Sequence, residues 1–173
     1  MLEMFGAIFI IVVGTLLHFM YDWTDHNKIV GFFTAVNEST WEHIKLLIAP
    51  TFVWLMVEYH FYFDNPNLFF AKAVSMLVMI IFVPLVFYSY THYTKKNILA
   101  VDMSSFIVAA VLGQYVFHLL INMSYTSVFI EHLGIFGLVI IFLRYITHTY
   151  VPDKNFIHED PITKKYGVSG HAK

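Results

Sequence analysis

Five apolar stretches divide this chain, and the centre of each is nearly free of polar side chains. Counting hydroxyl, amide and ionisable groups, Met4–Leu17 carries only Thr15 and Leu46–Val57 only Thr51. Met76–Phe87, Phe106–Gly113 and Leu133–Leu143 carry none. The runs are continuous rather than alternating, so they read as helices and not as strands of a barrel. Each run with its flanks supplies about 20 residues, enough to cross a hydrocarbon core roughly 30 Å thick. Lipid offers no partner to a free N–H or C=O, and a helix satisfies those groups internally. Composition agrees: 58% of the 173 residues are hydrophobic and 13% charged, against about 25% charged in an average soluble domain. The expectation is an all-α integral membrane bundle of five transmembrane helices.

The helices are predicted over about Leu2–Tyr21, Ser39–Tyr62, Leu68–Tyr93, Leu99–Met123 and Ser127–Tyr150. Residues 1–150 then form one transmembrane domain, and 151–173 a polar tail. The first run has no basic segment before it and no small-residue cleavage site, so it reads as a retained helix. Ser39-Thr40-Trp41-Glu42 has the spacing of a capping box, and Pro50 is expected to kink the helix that follows. Asp64-Asn65-Pro66-Asn67 is a turn. Lys28, Lys45, Lys95, Lys96, Arg144, Lys154, Lys164, Lys165 and Lys173 fall near one membrane face and only Lys72 near the other. That bias puts the N-terminus outside and the C-terminal tail in the cytoplasm. A net charge of −2 gives no basic surface for nucleic acid, and the absence of cysteine removes thiolate ligands and nucleophiles. The lipid bilayer is the one partner that composition implies.

Ionisable residues gather in two collars. The cytoplasmic collar holds His18, Asp22, His26, Glu38, Glu42, His43, Ser89, His92, Asp102, Arg144 and His148. His18, Asp22 and His26 share one helical face if the first helix continues that far, and Ser89 and His92 share one on the third. The outer collar holds Glu58, His60, Lys72, His118, Asn122, Glu131 and His132. His118 is the deepest of that group and requires a partner. Some of these residues have plainer roles: acids at Glu38 and Glu42 suit a helix start, and Trp23 and Trp41 suit the membrane interface. The tail histidines His158 and His171 are expected in solvent. His18, His92 and Asp102 reach one depth from three helices and need a shared reason. Imidazole is the commonest metal ligand, and catalytic zinc takes three protein ligands plus water.

Two resemblances bear on this. Asn37-Glu38-Ser39-Thr40-Trp41-Glu42-His43, Ser89-Tyr90-Thr91-His92 and Leu99-Ala100-Val101-Asp102-Met103-Ser104-Ser105 resemble, in order, motifs of one membrane superfamily. It comprises the alkaline ceramidases, the adiponectin/progestin-type receptors and the hemolysin III proteins. The resemblance covers about residues 36 to 114 and implies zinc-dependent hydrolysis of a lipid amide. The superfamily's late H-x-x-x-H has no counterpart here, so the remaining ligands would come from His18, His26, His43 or His148. The string Asn-Glu-Ser-x-Trp-Glu-His-x-Lys is also similar to one in small bacterial multi-pass membrane proteins, which implies the bacterial cytoplasmic membrane and no particular reaction.

Three functions follow as expectations. The first is a zinc-dependent hydrolase acting on a lipid-like substrate at the cytoplasmic leaflet. His92 and His18 would be ligands, with His148 or His43 the third. Asp102 would orient a ligand or the water, Ser89 would hold water or an oxyanion, and Glu38 or Glu42 would serve as general acid/base. The second is a proton- or metal-coupled transporter using both collars. Against it, Asp102 and Gln114 are separated by about 18 Å of nearly dry helix. The third is a b-type haem electron carrier with paired histidines at each face.

Overall fold

A computed structural model describes residues 1–171 of the chain, which is all-helical but for one isolated bridge between Glu159 and Tyr166. In chain order the elements are α1 (Leu2–Trp23), α2 (Lys28–Gly31), α3 (Thr40–Tyr62), α4 (Leu68–Thr94), α5 (Leu99–Ile121) and α6 (Val128–Thr147). A 3-10 turn, Gly167–Gly170, closes the tail. All but α2 and that turn are long and apolar enough to cross a membrane, which gives the expected five spans. Their limits fall within a few residues of those read from sequence.

Both faces of these helices are apolar, so the pattern of burial, not of hydropathy, tells inside from outside. On α1, Gly6, Ala7, Ile10 and Gly14 are buried while Phe5, Ile8, Val12, Leu16 and Phe19 are exposed. The second set is an apolar surface of the kind that a bilayer covers. α4 sits centrally against α3, α5 and α6, and α1 packs on α3 and α5. The core is built from Ile10, Ile44, Leu47, Ile48, Ala73, Met76, Met79, Ala109, Ala110, Leu138, Ile141 and Tyr145. Small residues bring backbones together, as packing in lipid favours. A Cβ on Gly134 would fall on the Phe69–Phe70 backbone of α4, and one on Gly14 would fall on the Leu46 carbonyl of α3. That carbonyl is the one for which Pro50, four residues on, has no N–H.

The end of the bundle reached by the C-termini of α1, α4 and α6 is here named the tail end, and the opposite end the turn end. At the tail end Ser39 caps α3 through the Glu42 N–H (3.4 Å). The reciprocal half of the capping box does not form. Asn37 Oδ1 takes the Ser39 N–H (2.8 Å) instead, and Glu42 Oε2 accepts from Val36 N–H (3.0 Å) and from Lys45 (2.9 Å). Lys45 Nζ also donates to the Gly31 carbonyl (3.1 Å) and to Thr149 Oγ1 (2.5 Å). A lysine that sequence reading assigns to topology is thus fully buried, with three acceptors for its three donors.

The tail is not a free polar extension. Trp41 N–H donates to Ile157 O (2.9 Å), Tyr88 OH to Phe156 O (2.9 Å) and Asn37 Nδ2 to Gly167 O (2.8 Å). Asp160, itself buried, accepts the Glu38 N–H at 2.8 Å. His158 is buried and His171 is part-buried, against the expectation that both lie in solvent. At the turn end, Asn65 and Asn67 donate to the Ile121 and Met123 carbonyls (3.0 and 2.8 Å), so the expected turn also ties down the end of α5.

Candidate metal centre at the tail end

Among the described residues two groups of three side chains place a ligand atom each within 4.8 Å of one another: His18, Glu38 and His43, and Asp22, His26 and His171. In the first group α1 supplies His18, the α2–α3 connector supplies Glu38 and the first turn of α3 supplies His43. His43 Nε2 lies 3.5 Å and His18 Nε2 3.9 Å from Glu38 Oε2. The two imidazole centroids are 5.3 Å apart. Ligands held tetrahedrally at about 2.0–2.1 Å from zinc stand about 3.3 Å from each other, so a small inward motion would close the set.

Protonation strengthens the fit. His43 Nδ1 lies 3.0 Å from the Ser39 carbonyl oxygen. A carbonyl only accepts, so Nδ1 carries the proton, and in the neutral ring Nε2 is a bare lone pair facing a carboxylate. Backbone carbonyls orient metal-ligating histidines in the same way. The three side chains are 30%, 46% and 34% exposed, which leaves room for a further ligand.

Of the residues expected from sequence, His18, Glu38 and His43 come together, and the others have separate engagements. Glu42 is consumed by Lys45 and Val36. Ser89 donates to Leu85 O (2.5 Å) and Asp102 accepts from Tyr90 OH (2.6 Å). His92 is exposed at the end of α4, its ring edge-on to Tyr93. His148 Nε2 stands 2.8 Å from the Arg144 guanidinium, a cation that a metal ion would have to displace. His148 instead joins Trp41 and His158 in a ring cluster with centroid separations of 5.0–5.4 Å. Burial there, with His148 beside it, lowers His158 from the ordinary imidazole value to about 4. Asp160 lies outside the residues expected from sequence, and His171, expected in solvent, is part-buried instead, since tail residues belong to no periodic element. Asn37, Trp41 and Lys45, visible in the Asn-Glu-Ser-x-Trp-Glu-His-x-Lys string, turn out to build the frame around the ligands.

The turn end holds a second polar assembly. Glu58 and Lys72, both fully buried, are 2.5 Å apart, with Lys72 Nζ 4.0 Å above the Phe117 ring. The partner that His118 requires is Glu3 (3.1 Å), which also accepts from Tyr62 OH (3.2 Å). A cleft of about 500 Å³ between α1 and α5 opens beside Glu3, Gln114 and His118. Glu3 is not among the outer-collar residues expected from sequence.

The chain belongs to a family of unknown function, DUF6512, whose sequence model matches residues 2–168. The match spans all five helices and most of the tail. No curated protein and no solved structure matches the chain.

Proposed function

We propose that this protein is a metal-dependent integral membrane hydrolase whose centre is His18, Glu38 and His43, acting on a lipid-like ester or amide. The observation that carries the reading is the His43 ring, fixed by the Ser39 carbonyl so that its free nitrogen and His18 from another helix converge on one carboxylate. Two imidazoles and a carboxylate with an open fourth position suit zinc. Bound there, zinc would lower the pKa of water towards 7 and polarise a carbonyl oxygen. The chain's own contribution is positional. Ser39 sets the His43 tautomer, Asp160 and Asn37 hold the Glu38 loop, and the buried Lys45–Glu42 pair ties that loop to α3 and to Thr149.

A lipid-like substrate is supported by the surroundings of His18. Leu16, Phe19 and Trp23, on the same helix, are exposed and apolar, so a bound molecule could keep its chain in lipid while its head reached the ligands. The lysine and arginine bias supports the cytoplasmic leaflet as the face on which this end lies. Elemental analysis of the tag-free, detergent-purified protein, followed by a screen of lipid amides and esters, tests the proposal. The expected result is bound zinc and hydrolysis, with the hydrolysis and one zinc equivalent lost in His18→Ala and in His43→Ala. Zinc content unchanged by both substitutions, or iron with a Soret band, would overturn it.

A further inference from the structure

The second group of side chains lies where the tail meets α1. Asp22 is in the last turn of α1, and the chain then passes through two left-handed residues, Asp25 (φ 50) and His26 (φ 60), that fold His26 back over the helix end. His26 Nε2 lies 3.3 Å from Asp22 Oδ1. From the far end of the tail His171 Nε2 reaches the same oxygen, also at 3.3 Å. The two rings stand with centroids 4.4 Å apart, and Tyr21 is edge-on to both. Both nitrogen–oxygen separations equal the edge of a tetrahedron with ligand bonds of about 2.0–2.1 Å.

The hydrogen bonding of His171 repeats that of His43. Its Nδ1 lies 3.0 Å from the Val36 carbonyl oxygen, so Nδ1 holds a proton, and in the neutral ring Nε2 faces Asp22 as a lone pair. A lone pair facing a carboxylate oxygen at 3.3 Å, with a second imidazole nitrogen as near to that oxygen, is the arrangement a bound cation would draw together. One divalent ion serves all three groups. We infer that Asp22, His26 and His171 form a second divalent transition-metal site, of the zinc class, that fastens the C-terminal tail to α1. Two imidazoles favour zinc over the oxygen-seeking calcium and magnesium. The site goes beyond the His18–Glu38–His43 reading and shares no ligand with it.

The tag-free full chain, stripped with chelator and reloaded with zinc chloride, provides the test. Retained zinc is measured after desalting, alongside hydrogen exchange of residues 160–171. Wild type should retain two zinc ions, and His43→Ala, His171→Ala and His26→Ala one each. Zinc should slow exchange of the 160–171 amides at least tenfold in wild type and in His43→Ala, and have no such effect in His26→Ala, whose change lies outside the tail. Equal zinc in wild type, His26→Ala and His171→Ala would overturn the inference, as would exchange of the 160–171 amides that is the same in zinc and in excess chelator. One zinc in wild type, lost only with His43, would overturn this site and leave the hydrolase centre standing. One zinc lost only with His26 or His171 would do the reverse.

Discussion

Lys45 shows how a single side chain can decide whether the site exists. Its ammonium is buried with Glu42, Gly31 O and Thr149 as partners, and Glu42 in turn holds the Val36 N–H. Removing one member of a buried pair strands the other, at a cost of about 3–5 kcal/mol. Lys45→Met should therefore lower the thermal unfolding midpoint in detergent sharply, and the double change Glu42→Gln with Lys45→Met should recover part of the loss. An equally damaging double change would show that Lys45 acts by filling space. His158 carries a different prediction. Its imidazole value falls from 6.5 in the unfolded chain to about 4 in the fold, so the unfolded state binds more protons between those values. Stability is then fully present above about pH 6.5 and declines as pH falls towards 4, by on the order of 3 kcal/mol. His158→Gln should flatten that slope in thermal melts across the range. His18, Glu38 and His43 stand out in the sequence because they sit near helix ends beside dry spans, and the fold brings their side chains together. Glu42, whose spacing fits a capping box, forms a buried pair with Lys45 instead, which no spacing reveals.

At the scale of elements, length and dryness were enough to place every span, because in lipid a helix is the one local answer to an unpaired backbone. What faces what was not legible, since lipid-facing and core-facing residues are equally apolar. Glycines carry that missing information. Gly134 lies against the α4 backbone at Phe69–Phe70, whereas a Cβ on Gly137 would meet only the Ala73 Cβ, at 3.3 Å. Gly134→Ala should therefore push α6 from α4 and cost about 1–3 kcal/mol. Gly137→Ala should cost clearly less, and equal melting points for the two variants would refute this packing.

For the molecule as a whole, the tail is the part that sequence reading described least well. A polar segment after the last span has no periodicity to follow, and its order comes from long-range bonds to residues 36–41. Asp160 joins the two most directly, accepting the Glu38 N–H with one carboxylate oxygen and the Ile162 and Thr163 N–H groups with the other (2.8, 2.9 and 2.6 Å). If His18, Glu38 and His43 hold zinc as proposed, Asp160→Ala should weaken its binding by about 10–100-fold, the usual effect of removing an outer partner. Competition with a chromophoric chelator would measure it, and an unchanged affinity would mean that the tail does not support the centre.

The attachment of the tail to residues 36–41 also sets an order in time. Glu38 and His43 emerge from the ribosome before three of the five spans exist, yet the groups that hold their loop, Asp160 and Gly167, are translated after the last span. Until then the early spans carry His18, Glu38 and His43 without the bonds that hold the Glu38 loop. The Glu38 loop gains its full set of bonds only once the last span and the tail have been made, so a chain stalled midway through synthesis would hold the two histidines without the bonds that fix Glu38 between them.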